Sequence, residues 1–376
     1  RSTDDGQTWT AVTAPEMNRW RSVAYGDDVW VAVADDGTNR VMRSTDGGQT
    51  WSMIDVVENQ WRSVAYGNGV WIAVSDTGTN RVMRSTDGGH TWSYFSASED
   101  NTWEDVSYGN GTWIAVAQSG SNRVMRSVDP TVTGTEKWTS VIAAEQNLWE
   151  SVAYGDGVWV AVADAGSHAV MRSTDGGQNW TTVAAAENEG WHSIAYGDGV
   201  WIAVAHQDAT NRVMRSTDGG QTWTSVAATE NIGWHSVSYG DGVWIAVAWD
   251  GTNRVMRSTD SGQTWSPISA AEANDWHSVA YGNGVWVAVA DTGTNRVMRS
   301  TDGGQTWSSV IAGEDNGWHS VAYGNGVWNA VAWNGTNRVM RSLDTSVPDA
   351  ATDVIASRGN QEVSVSWTAP VFDGGD

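Results

Sequence analysis

The sequence predicts an all-β ring: an eight-bladed β-propeller of four-stranded antiparallel blades, with the N-terminal strand completing the last blade. Three observations predict it. The phrase Arg-Ser-Thr-Asp-Gly-Gly-Gln-Thr-Trp recurs, whole or altered, with its Ser at positions 2, 44, 85, 127, 173, 216, 258 and 300. The intervals run from 41 to 46 residues, and one such unit cannot bury its own apolar face, so copies must stack or close on themselves. Finally, the chain enters and leaves the repeat out of phase, since a ninth copy stops at Ser342-Leu343-Asp344.

The copy around residues 276–310 shows the elements in order. Trp276-His277-Ser278-Val279-Ala280-Tyr281 reads as a short strand, ended by Gly282-Asn283-Gly284. Val285-Trp286-Val287-Ala288-Val289-Ala290 is a second, ended by Asp291-Thr292-Gly293-Thr294. Asn295 to Ser300 is a third, ended by Asp302-Gly303-Gly304, and Gln305 to Val310 is the fourth. Each run is rich in β-branched and aromatic residues, and the Asn-Gly and Asp-Gly pairs supply the positive φ that tight hairpins need. Residues 1–12 supply only a fourth strand, and residues 318–342 only strands one to three. The two fragments add up to an eighth blade if the strand around Thr8–Val12 pairs with the one around Asn337–Arg341. That pairing removes the open seam that would expose strand edges.

Composition narrows the function. The 376 residues carry a net charge of −23, and Lys137 is the only lysine. No nucleic-acid partner is expected, because such a surface needs cations to displace counterions. There is no cysteine, hence no disulfide or thiolate metal site. No apolar run is long enough to cross a bilayer as a helix. The chain opens mid-motif without Met, so a longer natural chain is expected, with the propeller itself monomeric. No cofactor is expected.

The repeated phrase resembles the Asp-box, or BNR repeat, Ser-x-Asp-x-Gly-x-Thr-Trp. It matches fully at 2–9, 44–51, 85–92, 216–223, 258–265 and 300–307. Asn179 replaces the Thr at 173–180, and an insertion breaks the box at 127–138. The resemblance covers 1–344 and implies the propeller, with the box in the turn between strands three and four. It implies little about activity, since the family includes sialidases, other glycosidases, sorting-receptor ectodomains and photosystem assembly factors. The box Asp is expected to accept turn amides and the box Trp to pack between sheets; the alternative is a ring of Asp ligands.

Beyond the propeller, residues 345–376 form a second unit. Val347-Pro348 leads into Glu362-Val363-Ser364-Val365-Ser366-Trp367-Thr368-Ala369-Pro370 and Gly374-Gly375. This resembles the first strands of a fibronectin type III domain, which implies an extracellular or cell-surface protein of several modules.

Candidate sites lie where the ring departs from its repeat. Loops after strands two and four share one face, and that face varies. A Glu precedes strand one in every unit: Glu16, Glu58, Glu99, Glu145, Glu187, Glu230, Glu272 and Glu314. These form either a carboxylate ring for a cation or a rim of local turn bonds. The residue after the first-strand Trp reads Arg21, Arg62, Glu104, Glu150, His192, His235, His277 and His319. The four His are candidate ligand contacts near the channel mouth, too far apart across blades to share one metal ion; ion pairing is the alternative. The turn after strand two departs at Gln118-Ser119, His206-Gln207-Asp208, Trp249-Asp250 and Trp333-Asn334. Of 27 Trp, only Trp249, Trp333 and Trp367 fall outside the three-per-repeat pattern. Trp249 beside Asp250, and Trp333 beside Asn334, suit stacking on a sugar ring; packing on a neighbouring loop is the alternative.

No catalytic residue is expected. A sialidase needs clustered Arg with a nucleophile and an acid. Here 16 of 20 Arg occupy two repeated positions, leaving Arg19, Arg21, Arg62 and Arg358, and the Arg-Ile-Pro motif of sialidases is absent. The expected function is a non-catalytic extracellular recognition module for a glycan or surface polymer. The alternatives are a structural spacer or a sialidase-like glycoside hydrolase.

Overall fold

The computed structural model describes residues 8–128, 137–166, 168–206, 211–343, 352–358 and 363–368. Eight four-stranded antiparallel sheets form the ring, with no helix among the described residues. Blade 1 comprises Trp20–Gly26, Val29–Ala34, Val41–Ser44 and Ser52–Ile54. First strands of successive blades pack on one another, including those of blades 8 and 1, so they line the centre. The second strand is buried along its whole length, as in Val29–Ala34, while the outer strand is largely open. Between blades lie the indoles: Trp20, Trp30 and Trp51 share one core with Val327, Val331 and Val339 of blade 8.

Closure is as expected. Thr10–Val12 is the outer strand of blade 8, with Thr10 opposite Arg341, Ala11 opposite Met340 and Val12 opposite Val339. The strand bounds in the 276–310 copy are tighter than the sequence suggests. The third strand is Val297–Ser300 because Asn295 has φ +47°, and the outer strand is Ser308–Val310 because the box claims Gln305 and Thr306. The inner hairpin turns carry paired positive φ, as at Asn283 (+46°) and Gly284 (+82°).

The box is a structural knot. Ser44 Oγ donates to Asp46 Oδ1 at 2.7 Å and accepts from Gly48 N at 2.8 Å. Asp46 accepts from Gln49 N and Thr50 N, both at 2.9 Å, and from Thr50 Oγ1 at 2.6 Å. These donors hold the box carboxylates below their usual range against the opposing pull of burial, down to about 2 at Asp87, Asp175, Asp218, Asp260 and Asp302. Asn179 fills the Thr role, its Nδ2 reaching Asp175 Oδ2 at 2.7 Å. In six blades the third-strand Arg reaches the knot of the next blade: Arg126 Nε donates to Gly176 O at 2.6 Å, Arg257 Nε to Gly303 O at 2.6 Å, and Arg341 to Gly47 O across the closure. The insertion at 129–136 and the start of the first box lie outside the described residues.

Beyond the ring, Thr352–Arg358 and Val363–Thr368 pair antiparallel. The rest of the expected fibronectin-like unit lies outside the described residues.

Candidate functional site

Every first strand carries a β-bulge at the same place. In blade 1 Trp20 faces Ala34 while Ser22 faces Val33, so Arg21 is the extra residue. The shift recurs at Arg62, Glu104, Glu150, His192, His235, His277 and His319. A bulge re-aims a side chain that strict alternation would turn away. All eight variable residues therefore line the channel mouth together with the residue after each, around about 270 Å³ of space.

That following residue is Ser in seven blades, and in five of them its hydroxyl accepts a neighbour's amide. Ser22 Oγ takes Val64 N at 3.4 Å, and Ser193 Oγ takes Val237 N at 3.3 Å. In blade 3 it is Asp105, whose Oδ2 takes Val152 N at 3.0 Å and Oδ1 the Ser63 hydroxyl at 3.1 Å. Burial pushes this carboxyl up from 3.8 to about 6. A carboxyl raised in the folded state stabilises the fold fully below its unfolded value and loses that contribution as pH rises through 6. The displacement corresponds to roughly 3 kcal/mol. Asp105→Ser, which restores the repeat, is thus expected to raise stability by about 1–3 kcal/mol at pH 8, with the gain fading between pH 6 and 4. Thermal melts of both proteins across that range check it.

The four imidazoles come together more closely than blade spacing suggested. Ring centroids lie 4.2 Å apart for His192 and His235, 3.8 Å for His235 and His277, and 4.0 Å for His277 and His319. Nδ1 of His235 donates to His277 O (2.8 Å), Nδ1 of His277 to His319 O (3.0 Å), and Nδ1 of His319 to Arg21 O (3.0 Å). A carbonyl can only accept, so these three hold the proton on Nδ1 and Nε2 is an acceptor. Arg21 Nη1 lies 3.3 Å from His319 Nε2 and donates to it. Burial drives all four pKa values down, to about 3 at His192 and His319, so the stack is uncharged near neutrality. Among the described residues, no group of three or more His, Cys, Asp or Glu is arranged to hold a metal.

The charged channel residues are held by partners behind the channel wall. Arg21 Nε pairs with Asp35 Oδ2 at 2.6 Å, and Arg62 Nη2 with Asp76 Oδ2 at 2.7 Å. Gln118 Nε2 donates to Glu150 Oε2 at 2.6 Å, and His192 Nδ1 sits 3.5 Å from Glu150 Oε1. Burial raises Glu150 to about 7, so this last contact joins a neutral imidazole to a half-ionised carboxyl rather than a full ion pair.

Six of the eight rim Glu residues make the expected local turn bonds. Glu16 accepts from Asn39 Nδ2 at 2.6 Å, Glu230 from Asn253 Nδ2 at 2.7 Å, and Glu314 from Asn337 Nδ2 at 2.8 Å, each within its own blade. The extra Trp residues pack on their own blades. A Cβ added to Gly233 would lie 1.9 Å from Trp249 Nε1, and one on Gly317 2.2 Å from Trp333 Nε1, so each indole edge rests on its own blade's glycine. Asp250 Oδ1 and Asn334 Oδ1 accept from those glycine amides at 2.7 and 2.6 Å, which fixes both loops. Yet Trp249 remains 38% exposed, and the two indoles border one hollow of about 280 Å³ with Asp250, Asp275, His277, Asp291 and Thr292. His206 adds an edge contact to Trp249 with centroids 5.5 Å apart; Gln207 and Asp208 lie outside the described residues. Sequence reasoning missed Asp291, which belongs to the repeat and becomes distinctive only through its neighbours.

Comparison with known proteins fits this architecture. The BNR/Asp-box repeat family matches residues 42–53, 214–225 and 298–309. No curated protein sequence matches the chain. Among solved structures, Sqt1 from Saccharomyces cerevisiae is similar at 11% identity and TM-score 0.68, covering 92% of this chain and 100% of its own. YCF48 from Cyanidioschyzon merolae is similar at 15% identity and TM-score 0.56, over 90% of this chain and 100% of that one. Virginiamycin B lyase from Staphylococcus aureus is similar at 16% identity and TM-score 0.59, over 74% and 94%. At these identities the likeness is one of fold.

Proposed function

We propose that this Asp-box propeller is a non-catalytic recognition module that takes a saccharide on its variable face, within a longer secreted or cell-surface protein. The observation that supports it is the single hollow shared by Trp249 and Trp333, the only ring Trp outside the repeat. Aromatic walls with carboxylates beside them suit the apolar faces and hydroxyls of a sugar. The absence of a catalytic role draws support from the arginines. Six of those on the third strands hold box turns, Arg19, Arg21 and Arg62 pair with Asp35, Asp36 and Asp76, and among the described residues no guanidinium cluster lines the hollow. The fibronectin-like resemblance of residues 345–376 supports the multidomain, extracellular part of the reading.

A glycan array followed by titration tests it. Trp249→Ala and Trp333→Ala should each weaken binding about tenfold or more while the melting temperature falls little. A blank array, or full affinity in both variants, would sink the saccharide reading. A spacer role would then be favoured by the Arg-to-box bonds that tie blade to blade.

A further inference from the structure

The ring supplies its own internal controls for the hollow. The residue that follows the second strand is Asp35 in blade 1, Asp76 in blade 2 and Asp291 in blade 7. In the first two blades the bulge residue of the same blade answers it: Arg21 binds Asp35 at 2.6 Å, and Arg62 binds Asp76 at 2.7 Å. In blade 7 the bulge residue is His277, uncharged, with its Nδ1 proton given to His319 O. Asp291 keeps the position and, like Asp35 and Asp76, has an Oδ1 buried without a hydrogen-bond partner; what sets it apart is that the same-blade guanidinium pairing with Asp35 and Asp76 is replaced by an imidazole.

The other charges around Asp291 are committed elsewhere. Arg296 spends Nη1 on the Asp291 and Asp315 carbonyls (3.1 and 2.9 Å) and Nε on Gly293 O (3.0 Å). Asp275 accepts from Arg254 Nη1 at 3.2 Å and from Thr292 Oγ1 at 2.5 Å. Asp250 holds the Gly233 amide. Arg21, which also acts on Asp291, is held by Asp35 and His319, and its guanidinium carbon lies 5.7 Å from the Trp333 ring centroid. Among the described residues, three carboxylates and no Lys or Arg line the hollow, and in ring order Asp291 falls between the two Trp-bearing blades. Indole faces attract cations through the ring quadrupole, and a carboxylate beside them completes the complement of an ammonium group.

We infer that this hollow is a site for an organic ammonium group seated against Asp291 between Trp249 and Trp333, so that the saccharide it takes is an amino sugar with a free amine. The inference rests on the saccharide reading above and names its ligand class. Burial raises the Asp291 carboxyl to about 6, so it is mostly ionised at neutral pH, and a bound cation favours the ionised form further. Affinity for a permanently charged ligand is thus expected to fall as pH drops through 6.

The test titrates the whole chain near neutral pH with a glucosamine tetramer, an N-acetylglucosamine tetramer and tetramethylammonium, read by calorimetry and tryptophan fluorescence. The amine tetramer should bind about tenfold tighter than the acetylated one. Asp291→Asn should bring the two to parity and remove the pH dependence for tetramethylammonium, with its melting temperature recorded to show a folded ring. Equal binding of both tetramers by the unaltered protein overturns the ammonium assignment and leaves the saccharide reading standing. Binding of tetramethylammonium but of neither tetramer supports the ammonium site and overturns the saccharide reading. Binding of none of the three overturns the assignment together with that reading.

Discussion

Deleting residues 1–12 opens the ring. The expected result is a melting temperature lower by on the order of 10 °C or more, together with self-association. The deletion removes the outer strand of blade 8, whose Thr10, Ala11 and Val12 face Arg341, Met340 and Val339. It also removes Trp9, which is 6% exposed and sits in one core with Val285, Val287, Val310 and Trp318 of blades 7 and 8. Burying an indole and then truncating it costs about 3–5 kcal/mol. That is a large share of the ~5–15 kcal/mol that typically separates a folded domain from its unfolded chain. The strand Val339–Leu343 is then left with a free backbone edge, which invites pairing with a second copy. The approach at this seam is close: a Cβ on Gly313 would stand 2.3 Å from Ala11 N. Trp9→Ala alone should give an intermediate loss without association. Calorimetry and size-exclusion chromatography check both, and an unchanged, monomeric deletion variant would remove the seam from the account of stability.

The ring was legible in the sequence because its determinants are local and repeated eight times. Turn chemistry such as Asn283-Gly284 and alternation such as Val285 to Ala290 need no tertiary information to be read. The box, too, is a local knot, with Ser44, Asp46, Gly48 and Thr50 bonding within four residues of one another. The box Trp between sheets and the closing strand were legible, but the polar bonds that join the blades were not. Arg257 was visible as a repeated position, but its bond to Gly303 spans 46 residues and depends on how the blades meet. The bulge at the first-strand residue was equally hidden, since Trp276-His277-Ser278 reads as plain alternation until its partner strand is known.

The candidate site was half legible for the same reason. Departures from the repeat marked Trp249, Trp333 and the His series, and the structure brings the two indoles to one hollow and the imidazoles into one stack. Asp291 gave no such signal, because it matches Asp35 and Asp76 in kind. Its difference is the loss of an Arg partner in the same blade, a property of a pair fourteen residues apart across a hairpin. Asn334 was marked by its departure yet serves its own loop, through the Gly317 amide.

Gly240→Ala is expected to cost about 3 kcal/mol, at the upper end for forcing one methyl group into a packed interior. The residue ends the first strand of blade 6 with φ outside the left-handed region, so backbone freedom does not explain the glycine. Its neighbour does: a Cβ there would lie 2.1 Å from Cγ of Tyr281 in the next blade. Tyr281 cannot easily retreat, since its ring lies against Trp286 with centroids 5.0 Å apart at 51°. The same seat recurs around the ring and across the closure, where a Cβ on Gly324 would meet Tyr25 Cγ at 2.1 Å. Gly242, two residues on, separates steric from backbone effects. It has φ +77° with nothing within 4 Å of an added Cβ, so Gly242→Ala should cost only about 1–2 kcal/mol of backbone strain. Tyr281→Ala is destabilising by itself, but adding Gly240→Ala to it should cost almost nothing further, because the clash has been removed. Denaturant titration of the four variants measures this coupling. Equal losses for Gly240→Ala and Gly242→Ala, with no coupling to Tyr281, would mean that the glycine serves its hairpin and that the blades are not seated on one another through the Tyr-Gly contact.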